Sequence, residues 1–267
     1  MRSNWVKRRL RDGQASVGTW LSIPSPISAR YMAQIGFDWL TVDLEHQPVD
    51  IETAAQMFAA IATAGGCPLA RVPWNTAENI KRVLDCGAWG IVVPMVNTRE
   101  EAEAAVAAAK YPPRGIRSVG GSLHALNFAA EPGEYYRRAN DEILVVIQAE
   151  SPQAVENAEA ILSVDGIDAV FIGPNDLLCQ MGKTPRMETD DPEFVRALAH
   201  LRQTAERFGV AAGIHTADAE AVNRRLAEGF RFLALASDAR FLLAEARAQL
   251  GRCAWKPESA RGDVLRY

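Results

Sequence analysis

Trp39-Leu40-Thr41-Val42-Asp43-Leu44-Glu45-His46, followed by Asp50 and the run 51–64, forms one complete strand–loop–helix unit. Residues 39–43 are an apolar run of strand length that ends on a carboxylate. Asp50 stands where a helix N-cap stands, with a side-chain oxygen able to accept from the first turn. From Ile51 the apolar residues follow helical spacing. Outward in both directions the same unit recurs. Strands are expected at 18–22, 39–43, 69–72, 90–96, 143–149, 169–172, 211–214 and 232–236. Helices are expected at 27–35, 51–64, 76–86 with Asn75 as its cap, 99–110, 151–162, 192–208, 217–228 and 240–249.

Eight strands alternating with eight helices predict a parallel α/β sheet, and eight such units can close on themselves. The expected fold is a single (β/α)8 TIM barrel spanning residues 1–267, a length that suits this architecture. An open doubly wound sheet is the alternative, but the first strand lacks the Gly-rich dinucleotide fingerprint. Residues 1–14 place Trp5, Val6 and Leu10 among Lys and Arg, which predicts a short amphipathic N-terminal helix. One connection stands out: 111–133 carries little regular signal, and its Gly and apolar residues suggest a packed functional loop.

Composition excludes several function classes. A hydrophobic share of 48% is enough for a large core. A net charge of −4 argues against a nucleic-acid-binding surface, which needs clustered Lys and Arg. No apolar run is long enough to span a bilayer, so no membrane association is expected. The basic N-terminus lacks the apolar centre of a signal peptide. Cys67, Cys86, Cys179 and Cys253 form no paired metal-ligand motif and suit a reduced, cytoplasmic setting.

In a barrel, the C-terminal ends of the strands build the active site. Asp43 and His46 follow the second strand, and Arg71 ends the third. Gln148 and Glu150 follow the fifth, Gly173-Pro174-Asn175-Asp176 the sixth. Glu150 and Asp176 are hard oxygen donors on neighbouring strands, suited to an octahedral divalent cation such as Mg2+ or Mn2+. A 2-oxo acid could chelate that cation, which would acidify the adjacent C–H. Arg71 could hold an enolate oxygen with fixed donors. Imidazole titrates near neutrality, so His46 could move a proton, with Asp43 orienting its ring. Gln148 could hold a substrate oxygen. Each residue also has a structural reading: Arg71 could simply pair with Glu45, Glu150 and Asp176 could pair with nearby arginines, and Gly173-Pro174 could be a plain turn. His124, His215 and Asp238 are polar candidates with no assigned role. Trp74 fits a packing wall. No lysine falls on an expected strand or strand end, which disfavours a Schiff-base mechanism.

Taken together, these motifs resemble the HpcH/HpaI aldolase family. The resemblance rests on Gly36-Phe37-Asp38-Trp39 leading into Asp43-Leu44-Glu45-His46, on Arg71-Val72-Pro73, and on Val93-Pro94-Met95. It continues through Tyr111-Pro112-Pro113 with Gly115-Ile116-Arg117, and Phe171-Ile172-Gly173-Pro174 with Asp176-Leu177. It runs in order from about Gly18 to Ala248. The resemblance implies reversible, metal-dependent retro-aldol cleavage of a 4-hydroxy-2-oxo acid to pyruvate, or a close 2-oxo acid, and an aldehyde. The metal would be Mg2+, Mn2+ or Co2+, held by Glu150 and Asp176. Arg71 would stabilise the enolate, and His46 supported by Asp43 would transfer protons through water. Gln148 and the backbone at Gly173, Pro174 and Asn175 would contact the 2-oxo acid. It also implies a homo-oligomer, a hexamer, that exchanges its C-terminal helix, here 240–249. Some motif positions depart from common family forms: Leu44 precedes Glu45-His46, Ala149 and Ser151 flank Glu150, and Asn175 precedes Asp176-Leu177-Leu178. The segment 118–124 matches no particular subgroup. Those departures bear on the aldehyde more than on the reaction. Other readings are an acyl-CoA-cleaving or decarboxylating lyase of the same superfamily, or a non-catalytic barrel that binds a 2-oxo acid.

Overall fold

The computed structural model describes residues 1–254 and shows eight parallel strands closed into a barrel in chain order. They are β1 (Ser16–Leu21), β2 (Trp39–Asp43), β3 (Cys67–Arg71), β4 (Gly90–Val93), β5 (Leu144–Gln148), β6 (Ala169–Ile172), β7 (Ala211–Thr216) and β8 (Phe232–Ser237). The expected TIM barrel is therefore observed. Helices cover the outside and side chains fill the inside, so the strands are apolar on both faces. Every residue of β2 and β5 is buried. Inside the barrel, Trp39 stacks on Phe232 with ring centroids 4.3 Å apart. That indole occupies space a side chain on β1 would need: a Cβ on Gly18 would lie 2.0 Å from it.

Local chemistry sets the helix starts. Asp50 caps Ile51–Thr63 as expected, its carboxylate accepting from the Thr53 N–H at 2.7 Å. The helix Ala77–Asp85 is capped by Thr76 rather than Asn75, whose amide instead donates to the Glu101 carbonyl. The expected helix 151–162 is broken at Asn157 into Pro152–Glu156 and Ala158–Leu162. The strand expected at 90–96 stops at Val93, and Met95 takes a left-handed φ of 53°. Gly173-Pro174 is no plain turn; it opens the helix Pro174–Gln180.

The segment 111–133 is packed, as expected of it, but it lies away from the cleft at the strand ends. This segment lies between the helix Arg99–Ala109 and β5, so it covers the end of the barrel where strands begin. It contains the helix Leu123–Asn127 and leads into Pro132–Glu142. Its rings pack into that end of the barrel, which forms a stem: Phe128 stacks on Trp89 at 4.4 Å and His124 on Tyr135 at 4.2 Å. Arg117 is fully buried, bonded to Asp85 at 2.7 Å and to the Tyr135 hydroxyl at 3.1 Å.

The N-terminal helix Trp5–Arg11 closes the same end. The Lys7 amine donates to the Ile143 carbonyl and to Asp168, both at 2.8 Å. The buried Lys110 amine donates to the Asn140 and Ile143 carbonyls. Burial, reinforced by the charge of Lys7, pushes the Lys110 amine down to about 7. The helix Asp238–Arg252 behaves differently: Asp238 is its only buried residue, and Leu242, Leu243 and Leu250 face solvent. Among the described residues no helix is long and apolar enough to cross a membrane.

Candidate active site

A cleft of about 210 Å3 opens at the C-terminal ends of the strands. Asp43, His46, Arg71, Gln148, Gly173, Pro174, Asn175 and Asp176 all line it, as do Trp20, Phe171, Met187 and His215. Residues far apart in sequence thus converge because each follows an adjacent strand.

On one side stands a charged pair. The β2–β3 register places Asp43 directly opposite Arg71. The guanidinium grips the carboxylate through two bonds, Nε to Oδ1 at 2.9 Å and Nη2 to Oδ2 at 2.6 Å. Nη1 lies 3.2 Å from Glu45 Oε2, and the guanidinium carbon lies 4.5 Å above the Trp20 ring. Both partners of the fork are nearly sealed from water, which fixes the orientation of a cation that cannot lose its proton. The expectation that Asp43 orients the imidazole of His46 is corrected. Asp43 Oδ1 accepts instead from the backbone N–H groups of Glu45 and His46, at 3.1 and 3.3 Å. The His46 ring is exposed at the cleft mouth, with Glu45 Oε2 its nearest carboxylate at 3.8 Å.

On the other side stand the carboxylates. Glu150 Oε1 accepts from the Met95 N–H and Oε2 from the Gln148 amide, both at 2.9 Å. The left-handed turn at Met95 aims that N–H at the carboxylate. Gly173 leaves the necessary room: a Cβ there would lie 2.5 Å from Glu150 Oε2 and 3.6 Å from Asp176 Oδ2. Both carboxylates thus approach the space that a side chain at position 173 would fill. Burial pushes the Glu150 carboxyl up to about 7, and repulsion from Asp176 and Glu45 adds to this. Burial likewise raises Glu45. Gln148 Oε1 is buried with no partner. Crowded, desolvated carboxylates beside an orphaned amide oxygen fit a hard divalent cation. Among the described residues no three His, Cys, Asp or Glu side chains gather closely enough to hold a metal by themselves. A cation on Glu150 and Asp176 would accordingly complete its octahedron from water and substrate.

The remaining candidates separate cleanly. His215 is in the cleft wall. His124 is in the stem, bonded to the Gly120 carbonyl at 2.9 Å. Asp238 accepts from the N–H groups of Ser22 and Ala239, each at 2.7 Å, and so ties the end of β1 to the last helix. Trp74 is exposed and forms no wall. None of the described lysines lines the cleft, and the two buried ones lie at the opposite end of the barrel. Lys256 falls outside the described residues.

Sequence reasoning missed Trp20, Phe171, Met187 and the Met95 N–H. Trp20 and Phe171 were legible as inward positions on β1 and β6, but only once register was known. Nothing in the sequence marks Met95 for positive φ.

The profile of the HpcH/HpaI aldolase/citrate lyase family matches residues 16–244. This chain belongs to that family. It is 37% identical over 244 residues to the hydroxypyruvate/pyruvate aldolase of Rhizorhabdus wittichii, covering 91% of this chain and 96% of that one. It is 39% identical over 236 residues to the 5-keto-4-deoxy-D-glucarate aldolase of Shigella dysenteriae, covering 88% and 91%. The crystal structure of a family protein from Burkholderia cenocepacia superposes with a TM-score of 0.87 at 33% identity, covering 93% and 98%. This chain is thus an enzyme of the aldehyde-lyase class, as its motifs imply.

Proposed function

We propose that this family member cleaves a 4-hydroxy-2-oxo acid reversibly into pyruvate, or a close 2-oxo acid, and an aldehyde. The observation that carries the reading is the arrangement across the cleft. A rigid Asp43–Arg71 fork and Asp176 line one cleft of small-molecule size, and Glu150 stands against Gly173 in its wall. The names of the aldolase relatives point the same way.

Glu150 and Asp176 would hold the cation, which is Mg2+, Mn2+ or Co2+. When bound, it supplies Lewis-acid polarisation of the 2-oxo carbonyl. The protein's own groups do the rest. Arg71 donates to the keto oxygen and holds the charge that develops there as the enolate forms. Asp43 acts through Arg71, keeping its donors aimed. The Gln148 amide already contacts Glu150 and sets that carboxylate's rotamer. The backbone from Gly173 through Pro174 to Asn175 approaches the substrate carboxylate, which the missing side chain at Gly173 permits. His46, free at the mouth, accepts the proton of the C4 hydroxyl as the C3–C4 bond breaks, directly or through water. We further propose a homo-oligomer, a hexamer, joined by exchange of the helix Asp238–Arg252.

The test is proton–deuterium exchange at the pyruvate methyl group, followed by NMR with metal-stripped protein and then with each added cation. Cation-dependent exchange is expected, and Glu150→Ala should abolish it. Folded, cation-binding protein that exchanges nothing would exclude pyruvate as the donor.

A further inference from the structure

His215 sits at the end of β7 in the wall of the cleft, and the backbone around it is built to hold its ring in one state. Three observations meet there. The β1–β8 register slips, pairing Gly18 with Ala234 but Trp20 with Ser237, so β8 carries one extra residue. Within that bulge Ala236 takes a left-handed φ of 48°, a conformation a non-glycine residue adopts at a cost. The carbonyl of the same Ala236 lies 3.1 Å from His215 Nε2. Bulges beside active sites commonly re-aim a group, and here the re-aimed group is an acceptor for the imidazole.

A carbonyl can only accept, so Nε2 carries the proton and Nδ1 is left with a lone pair. Burial keeps the ring neutral and pushes its pKa down to about 4; the Ala236 bond opposes this, and the positive charges of Arg71 and Arg240 support it. At neutral pH the cleft wall therefore presents a fixed hydrogen-bond acceptor. Trp20 flanks it with ring centroids 5.9 Å apart, and the same indole carries Arg71 on its face.

The barrel order says which part of the substrate meets this acceptor. Arg71 on β3 and the carboxylates after β5 and β6 take the keto and carboxylate end of the 2-oxo acid. The wall left for C3 is β7, β8 and β1, where His215, Ser237 and Trp20 stand. We propose that His215 is a specificity-determining residue whose Nδ1 accepts a hydrogen bond from a C3 hydroxyl, selecting 3-hydroxy-2-oxo acids over pyruvate as the nucleophilic substrate. This rests on the aldolase reading above and adds the identity of the donor. A pocket with a buried acceptor discriminates well against the analogue that lacks the hydroxyl, because the acceptor is then left unpaired.

The experiment compares hydroxypyruvate with pyruvate in the wild-type protein, His215→Leu and His215→Asn, each loaded with Mg2+. Binding is read by calorimetry and turnover with a common aldehyde. Asn places an oxygen acceptor where Nδ1 stands, whereas Leu fills the space without one. The wild type should prefer hydroxypyruvate by about tenfold or more, the preference should vanish in His215→Leu, and His215→Asn should recover part of it. Pyruvate should bind His215→Leu at least as well as the wild type, because that variant leaves no acceptor unpaired. Equal losses for both acids in His215→Leu would overturn the proposal, as would unchanged preference. Altered discrimination between glycolaldehyde and acetaldehyde, with the donor preference intact, would also overturn it by placing His215 on the aldehyde side. Failure of the wild type to bind or turn over either acid would instead strike the aldolase reading itself.

Discussion

Gly173 shows how much a single residue can decide. Its missing Cβ is what leaves room for Glu150 Oε2, since an added methyl would lie 2.5 Å from that oxygen. Gly173→Ala should swing the carboxylate aside and weaken divalent-cation binding by roughly tenfold or more, about 1.4 kcal/mol. Titration calorimetry with Mn2+ measures this, and unaltered affinity would remove Glu150 from the ligand set. A second prediction concerns the Asp43–Arg71 fork. Arg71→Ala should lower kcat by roughly 10²–10³, as removal of an oxyanion donor does. A change confined to KM would mark Arg71 as a uniform binding group. Because the Asp43 carboxylate grips the Arg71 guanidinium and not the His46 ring, Asp43→Ala should reproduce most of that loss, and the double variant should be little worse than either. Additive losses in steady-state kinetics would restore a separate role for Asp43. The residues of this site were legible because strand ends are where barrels keep their chemistry. The partnership of Asp43 with Arg71 was not, because it depends on the β2–β3 register, which places the two side by side.

At the level of elements, the alternation of strand and helix was readable because the strands are buried on both faces and most of the helices between them carry an apolar stripe. The helix Pro132–Glu142 escaped notice for the converse reason. It buries only Tyr135 and Ala139, so it has almost no stripe to read. Its neighbour Arg117 was likewise visible as a motif residue without any hint of its burial. Its guanidinium is sealed in the stem with Asp85 as its carboxylate partner. Asp85→Ala strands that charge and should cost about 3 kcal/mol, the lower end for a broken buried pair because Asp85 is partly exposed. Urea unfolding measures it, and a loss of a few tenths would show that water or a neighbour compensates. Lys110, in the same stem, gives the fold a pH dependence. Its amine titrates near 7 in the fold and near 10.4 in an unfolded chain. Between those values the unfolded chain holds a proton that the fold does not, so this group makes stability rise with pH. Below about 7 both states are protonated and the penalty is constant. The slope is at most about 1.4 kcal/mol per pH unit. Lys110→Met should flatten the rise in Tm from pH 7 to pH 9, and an equal rise in the variant would assign it to other groups.

For the molecule as a whole, the helix Asp238–Arg252 is out of keeping with the rest. Every other helix of its length buries a stripe; this one runs for 15 residues and buries only Asp238, at its first position. It keeps its shape in isolation poorly if nothing covers it, since helices of about this length are marginal in water without packing. Its leucines lie on the outside: Leu242, Leu243 and Leu250 are each roughly half exposed. A second exposed apolar group is formed by Ile27 and Tyr31 of the helix Pro26–Ala33 with Ile35 just after it. Apolar surface of this kind on two separate elements is what a protein buries against its own copies. The residues of the helix could announce it but not what covers it, because a stripe of leucines looks the same whether it faces its own barrel or another surface. Leu243→Glu with Leu250→Glu puts two charges on that surface without touching the barrel. Helix exchange predicts a fall in mass by light scattering towards a smaller species, with the far-ultraviolet circular dichroism of the barrel retained. It also predicts a lower Tm, since burial against the partners stabilises the folded chain by mass action. An assembly of unchanged mass would mean that the copies meet elsewhere and that this helix is free in solution.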